Sequence, residues 1–261
     1  MRFKPKKKLG QNFLVDKNIQ RKIIDSCGLN ASDIVLEIGS GRGEITGLLA
    51  EKVKKVYAFE LDSSLLSIIK ENLKHKKNIS VLNEDILKFN LKKFFKHFYE
   101  KIKVVGNIPY YISSPVLEYI IKNRNKIDSA FITVQKEFAQ RIIAHPGSKD
   151  YGSLSCFVQC YAYPEILFLI KKSCFYPAPS VNSCFLGLKL RGHPAVDLKN
   201  ENRFFKIIRK AFCQRRKILK NSLKGVVSIK KLDEFFRKQR IDPMARPEEL
   251  SLQDFAELSN L

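Results

Sequence analysis

Short apolar runs and helix-period stretches take turns along the first two thirds of the chain, and their order predicts the architecture. Ile19, Ile23 and Ile24 have helical spacing, so the spacing predicts a short helix there. The run 33–38 predicts a short strand, and a helix through Leu48 to Val53 follows it. Lys55–Phe59 and Ile79–Leu82 predict the second and third strands, and a fourth closes at Val104-Val105-Gly106. A fifth, Ala130–Gln135, runs into a helix over Glu137–Ala144. Strands that alternate with helices in this way predict a doubly wound α/β sheet, mostly parallel, whose ligands meet the carboxyl ends of the strands. Two later apolar runs, Cys156–Tyr161 and Cys184–Leu190, have no helical stretch between them and predict a terminal antiparallel strand pair. From residue 201 onward the periods are helical only, which predicts a small C-terminal helical domain.

Charge divides the chain further. Lys+Arg 48 against Asp+Glu 26 leaves a net +22, a surplus that points to a polyanionic partner. Residues 1–8 carry five positive charges and no negative ones, and residues 203–240 hold fourteen Lys or Arg against two acids. The excess therefore gathers near the ends of the chain, which favours a nucleic-acid surface over a generally basic one. These patterns predict a basic arm and cofactor-covering segment over 1–16, a cofactor-binding domain over 17–192, and a basic helical RNA-binding domain over 193–261. No stretch approaches the ~18 apolar residues of a membrane span, and the start has no apolar signal core, so a cytoplasmic protein is expected. Six scattered cysteines without a Cys-x-x-Cys pair, and four scattered histidines, predict reduced core thiols and no metal site.

The candidate chemistry sits where the predicted strands end. Gly39-Ser40-Gly41-Arg42-Gly43 joins a strand to a helix, an arrangement that cradles a nucleotide-like cofactor. Glu44 stands where a dinucleotide fingerprint has its third glycine, and Glu37 precedes the turn, where it would repel a pyrophosphate. A cofactor with a cationic centre suits the loop better. Glu60 ends the second strand about 20 residues after the glycine turn, where an acid accepts ribose hydroxyls. Asp85 follows the third strand and could accept from an adenine amino group, whereas Asp62 reads as a helix cap. A ribose, an adenine and a positive group together spell S-adenosylmethionine rather than NAD.

The fourth strand runs into Asn107-Ile108-Pro109-Tyr110. Proline extends the residue before it, so the Asn107 amide oxygen and the Ile108 carbonyl can offer two acceptors beside the Tyr110 ring, a match for the exocyclic amine of a planar base. Judged alone, the tetrapeptide reads equally well as a capped turn. Phe175, which opens the proline-stiffened loop Phe175–Val181, could cover the second face of such a base, or the loop could be an ordinary connector.

Together these motifs resemble the ribosomal RNA adenine N6-dimethyltransferases, most closely the small-subunit (KsgA-type) group. The resemblance rests on Gly10-Gln11-Asn12-Phe13-Leu14, Glu37 to Gly41, Glu60, Asp85, Asn107 to Tyr110, Gln135-Lys136-Glu137, Phe175 through Ser183, the expected basic helix Ala211 to Asn221, and Arg246 to Ser251. Ser40 departs from a proline common in the glycine loop, and Ile108 from a leucine. The resemblance implies a Rossmann-like class I methyltransferase fold and S-adenosylmethionine as methyl donor. It also implies cofactor contacts from Asn12, Leu14, Gly39, Glu60, Asp85 and Asn107, with Gly41 joining them from the loop reading. Asn107, Ile108, Pro109, Tyr110 and Phe175 would form the catalytic face. Lys6, Lys7, Lys8, Arg215, Arg216 and Lys217 would meet RNA phosphates. The implied activity is N6,N6-dimethylation of two adjacent adenosines in the 3′-terminal hairpin loop of 16S rRNA, by a monomer without metal or membrane. Two alternatives stay open: a large-subunit (23S) rRNA dimethylase of the macrolide-resistance type, and a non-catalytic RNA-binding assembly factor on the same fold.

Overall fold

A computed structural model describes residues 5–96, 100–214 and 217–261, with the backbone alone at Lys7. Nine strands follow in chain order: β1 (Phe13–Leu14), β2 (Ile34–Ile38), β3 (Lys55–Phe59), β4 (Ile79–Leu82), β5 (Ile102–Asn107), β6 (Ile127–Gln135), β7 (Ala162–Ile170), β8 (Phe175–Tyr176) and β9 (Ser183–Leu190). The helices are α1 (Lys17–Ser26), α2 (Glu44–Lys52), α3 (Leu66–Asn72), α4 (Leu91–Phe94), α5 (Ser113–Lys122), α6 (Lys136–Ile143), α7 (Ser153–Tyr161), α8 (Glu201–Phe212), α9 (Leu219–Ser222), α10 (Ile229–Gln239) and α11 (Leu252–Asn260). Among the described residues no helix is long and apolar enough to cross a membrane.

The chain divides into two compact units. The first, up to Ala139 together with Tyr163–Leu190, holds a seven-stranded sheet in the order β4-β3-β2-β5-β6-β9-β7. Every residue of β2 is buried, as befits a strand covered on both faces. Its neighbours β3 and β5 run parallel to it, and the register aligns Ile38 with Phe59 on one side and with Gly106 on the other. Phe59 is in turn level with Leu82 of β4. Gly39, Glu60 and Asn83 therefore leave the sheet along one edge, level with Asn107, the last residue of β5. The winding reverses between β2 and β5, so that edge carries the switch-point crevice of a doubly wound sheet. Strand β9 lies antiparallel to β6, with Gln135 opposite Ser183, and β7 follows it as the edge strand. A second, two-stranded antiparallel sheet pairs β1 with β8, Phe13 opposite Tyr176 and Leu14 opposite Phe175.

The second unit comprises Gln140–Ala162 and the chain from Arg191 onward. Phe204, Phe205, Ile207, Ile208 and Ala211 bury one face of α8, and Phe157 of α7 meets Phe205 edge-on at 5.5 Å. The Gly147 amide donates to the Glu248 carbonyl at 2.7 Å, and that of Ala195 to Cys160 at 2.8 Å, so residues 140–162 are stitched to the C-terminal segment.

Four expectations need correction. The run Cys156–Tyr161 belongs to α7 rather than to a strand, and the strand is the next segment, β7. Short apolar runs do not separate a buried helix from a strand, and Pro164 in β7 hid a strand that lies at the sheet edge, where proline is tolerated. The expected domain boundary at 192/193 also overlooks that residues 140–162 join the second unit. Finally, the basic run Ala211 to Asn221 is not one helix. α8 ends at Phe212, where its apolar face runs out, and α9 begins at Leu219. The thiols are free, but Cys213 is exposed and Cys174 half-buried, so not all six are core residues.

Candidate active site

The carboxyl edge of β2, β3, β4 and β5 forms one wall of an open cleft, and residues 9–13 form another. Of the cofactor candidates, Asn12, Gly39, Gly41, Glu60, Asp85 and Asn107 line the cleft, as do Ile108, Pro109 and Tyr110 of the catalytic set.

At the switch point the backbone approaches closely. Gly41 has φ 59°, and a Cβ there would lie 3.3 Å from the Phe13 ring, so glycine is needed for both conformation and space. The Gly41 amide donates to Glu60 Oε2 at 2.8 Å, and the Asp62 amide donates to Oε1 at 2.8 Å. Glu60 is thus held by backbone on both oxygens, and each oxygen keeps a lone pair for a further donor such as a ribose hydroxyl. Burial raises its carboxyl pKa, against the pull of those amides. Asp85 accepts from the Leu87 amide on Oδ1 at 3.0 Å, an Asx turn that leaves Oδ2 without a partner among the described residues.

The Asn107 amide is oriented by chemistry. Its Nδ2 donates to the Asn12 main-chain carbonyl at 3.0 Å. A carbonyl can take only a donor, so Oδ1 must face the other way. No described residue donates to the Ile108 carbonyl, and Pro109, at φ −58° and ψ 135°, starts the 3₁₀ turn Tyr110–Ile112. The half-buried Tyr110 shares a 2.6 Å hydrogen bond with Ser183 Oγ, which fixes its ring, and burial raises its pKa.

Four candidates lie elsewhere. Leu14 does not line the cleft; it is a core side chain whose carbonyl accepts from Gln20 Nε2 at 2.7 Å. Phe175 is 3% exposed, belongs to the same core cluster and lies opposite Leu14, so the structure does not bring it to the cleft. The exposed aromatic on the cleft lining is Tyr111, at 60%. Glu37 is 2% exposed and off the lining, and burial pushes its carboxyl up to about 8. It is therefore largely neutral at pH 7, and the argument from pyrophosphate repulsion no longer holds. Lys6 places its ammonium 2.6 Å from Asp62 Oδ1, so it is ion-paired rather than free for phosphate. Lys8 and Lys217 are exposed, the Lys7 side chain is not described, and Arg215 and Arg216 lie outside the described residues.

Two functional neighbours escaped the sequence reading. Asp62 does cap the turn Ser63–Leu65, but it also takes Gln11 Nε2 on Oδ2 at 2.8 Å. Burial pushes its carboxyl up, yet bonds from Lys6, Ser64 and Gln11 outweigh that and hold it down to about 2. Tyr111 carried the other signal, an aromatic adjoining Tyr110. Gly10, at φ 59°, lies under its ring: a Cβ there would come within 3.1 Å.

A sequence model described as ribosomal RNA adenine dimethylase matches residues 2–261. Ribosomal RNA small subunit methyltransferase A of Caldanaerobacter subterraneus subsp. tengcongensis is 45% identical over 260 residues, 98% of this chain and 97% of that one. Its namesake from Geobacillus thermodenitrificans is 39% identical over 266 residues, 99% of this chain and 91% of that one. Among solved structures, a dimethyladenosine transferase from Plasmodium falciparum is similar with TM-score 0.77 at 26% identity, covering 94% of this chain and 95% of that one. The 23S rRNA methyltransferase ErmE is similar with TM-score 0.75 at 24% identity, covering 95% and 98%, a likeness of fold.

Proposed function

For a chain that belongs to the ribosomal RNA adenine dimethylase family, we propose that the cleft holds S-adenosylmethionine and an unstacked adenine of small-subunit rRNA, and that the protein transfers two methyl groups to N6. The observation that carries this reading is the fixed Asn107 amide, whose Oδ1 stays available beside the Ile108 carbonyl and the Tyr110 ring. The donor set suits the cofactor: Glu60 offers acceptors to a ribose diol and Asp85 one to an adenine amine. When bound, S-adenosylmethionine supplies an electrophilic methyl on a sulfonium.

The N6 lone pair of adenine is delocalised into its ring, which makes it a poor nucleophile. Asn107 Oδ1 and the Ile108 carbonyl accept the two N6 protons and favour the tetrahedral geometry in which the lone pair is available. They also stabilise the positive charge that grows on nitrogen. Tyr110 stacks on the base and holds it in line. The methylated nitrogen is acidic and releases its proton to water, so the chain need not supply a general base. Small-subunit rRNA is the substrate of choice because the two relatives above carry that substrate in their names, and the two adjacent adenosines near the 3′ end of 16S rRNA are those the resemblance implies.

Asn107→Ala tests the reading. Methyl transfer to unmodified small subunits should fall by about 10²–10³-fold or more, with S-adenosylhomocysteine binding changed far less. Near-normal turnover by this variant, or label appearing on large subunits instead of small ones, would refute it.

A further inference from the structure

We propose that Asp62 is a positioning residue for methyl transfer: by gripping Lys6 and Gln11 it fixes the segment whose Asn12 carbonyl orients the Asn107 amide. The proposal rests on the role given to Asn107 above.

A cap for the turn at Ser63 needs one acceptor, and the Ser64 amide supplies that contact at 3.1 Å. Asp62 makes three more. Oδ1 also takes the Ser64 hydroxyl at 2.6 Å and the Lys6 ammonium at 2.6 Å, and Oδ2 takes Gln11 Nε2 at 2.8 Å. Two of these reach a stretch more than fifty positions earlier in the chain. With the carboxylate 3% exposed, they supply the partners that a buried charge requires.

The Gln11 side chain works in one orientation only. Its Oε1 accepts from the Lys6 amide at 2.7 Å while its Nε2 faces the carboxylate. Turning the amide over would set oxygen against carboxylate and nitrogen against an N–H. Asn12 is the next residue, and its carbonyl holds Asn107 Nδ2. The same logic thus appears twice in succession: a fixed acceptor selects the nitrogen end of an amide and so decides where its oxygen points. The Asp62 amide also donates to Glu60 Oε1, which places one residue at the root of both the ribose acceptor and the N6 acceptor.

A reciprocal exchange tests this. In Gln11→Glu two carboxylates face each other, and in Asp62→Asn the acceptor for Gln11 Nε2 is lost. Each single change should raise the dissociation constant for S-adenosylhomocysteine about tenfold by calorimetry and lower kcat at least tenfold. Combined, the pair regains its contact with donor and acceptor swapped, because the side-chain amide introduced at position 62 can donate to the carboxylate introduced at position 11, while that carboxylate still accepts from the Lys6 amide. Both constants should then return to within about threefold of the parent. Gln11→Ala cuts the same link while leaving the carboxylate itself and its Lys6 and Ser64 partners in place, and it should match the single variants. If the single variants keep parental kcat and affinity while Asn107→Ala is inactive, the positioning role is overturned and the reading of the cleft survives. A double variant as impaired as the singles overturns it too. If Asn107→Ala is itself active, the reading of the cleft falls and takes this proposal with it.

Discussion

One wall of the cleft stands on strand ends that parallel ladders hold level, Ile38 with Phe59 and Gly106, and Phe59 with Leu82. The other, residues 9–13, is held by two residues of β1 paired with β8 and by side-chain bonds to Asp62. Glu60 and Asn107 therefore inherit the stability of the sheet, whereas Asn12 depends on a few local contacts. Elements with few contacts open at lower free energy than core strands. The walls should thus fail separately: damage to the sheet unfolds the unit, and damage to the N-terminal wall loosens the site within a folded unit.

The largest effect expected from breaking the weaker wall comes from Phe175→Ala. Emptying this core position should cost about 3–5 kcal/mol by urea unfolding. Because Phe175 lies opposite Leu14, and the Val15 amide donates to Cys174 at 2.9 Å, hydrogen exchange at Val15 should accelerate before exchange at Val35 in β2. Equal protection at both amides in the variant would erase the distinction between the walls.

Glu37→Gln probes the stronger wall from beneath. The folded-state pKa of Glu37 is raised from 4.5 to about 8, so the folded chain binds this proton more tightly than the unfolded chain does. The group therefore costs no stability below about pH 4.5, costs progressively more as pH rises toward 8, and costs a constant amount above that. Glutamine removes the titration. The advantage of the variant over the parent should grow between pH 5 and pH 8, by an amount on the order of a few kcal/mol. Parallel stability curves over that window would show that the carboxyl is not held neutral beneath the loop.

The same contrast explains what the sequence could disclose. Lys55–Phe59 and Ile79–Leu82 were legible to the residue, because even a half-buried strand such as β4, at the edge of the sheet, writes a short run of strand-forming residues bounded by turn chemistry. Glu60, Asp85 and Asn107 were legible because each follows such a run. Asp62 was legible only as a cap, since its bonds to Lys6 and Gln11 join positions that no local period connects. Lys6 read as part of a charged arm, and its ion pair depends on where a segment far along the chain comes to rest. Phe175 and Leu14 failed for a related reason: a two-residue strand has no period, and only the pairing of β1 with β8 reveals that both side chains are core. The helix α7 failed because its polar residues Ser155 and Gln159 turn to the Arg141 and Ile142 carbonyls, so no solvent-facing polar stripe marks its turn.

The smallest expected effect separates two lysines of one segment. A cation that meets a phosphate releases condensed counter-ions, and losing one such contact lowers the slope of log K against log salt by about 0.7 for a single strand and about 0.9 for a duplex. The Lys8 side chain is exposed, so Lys8→Ala should lower the slope of RNA binding by about that amount and leave affinity for S-adenosylhomocysteine unchanged. The Lys6 ammonium already lies 2.6 Å from a carboxylate with almost no exposure of its own. The Lys6 side chain is 49% exposed but its ammonium is committed to that pair, so Lys6→Ala should weaken cofactor binding several-fold and alter the salt slope less than Lys8→Ala does. If Lys6→Ala flattens the slope as much as Lys8→Ala does and spares cofactor binding, then Lys6 serves the RNA, and Asp62 does not depend on it to hold the wall.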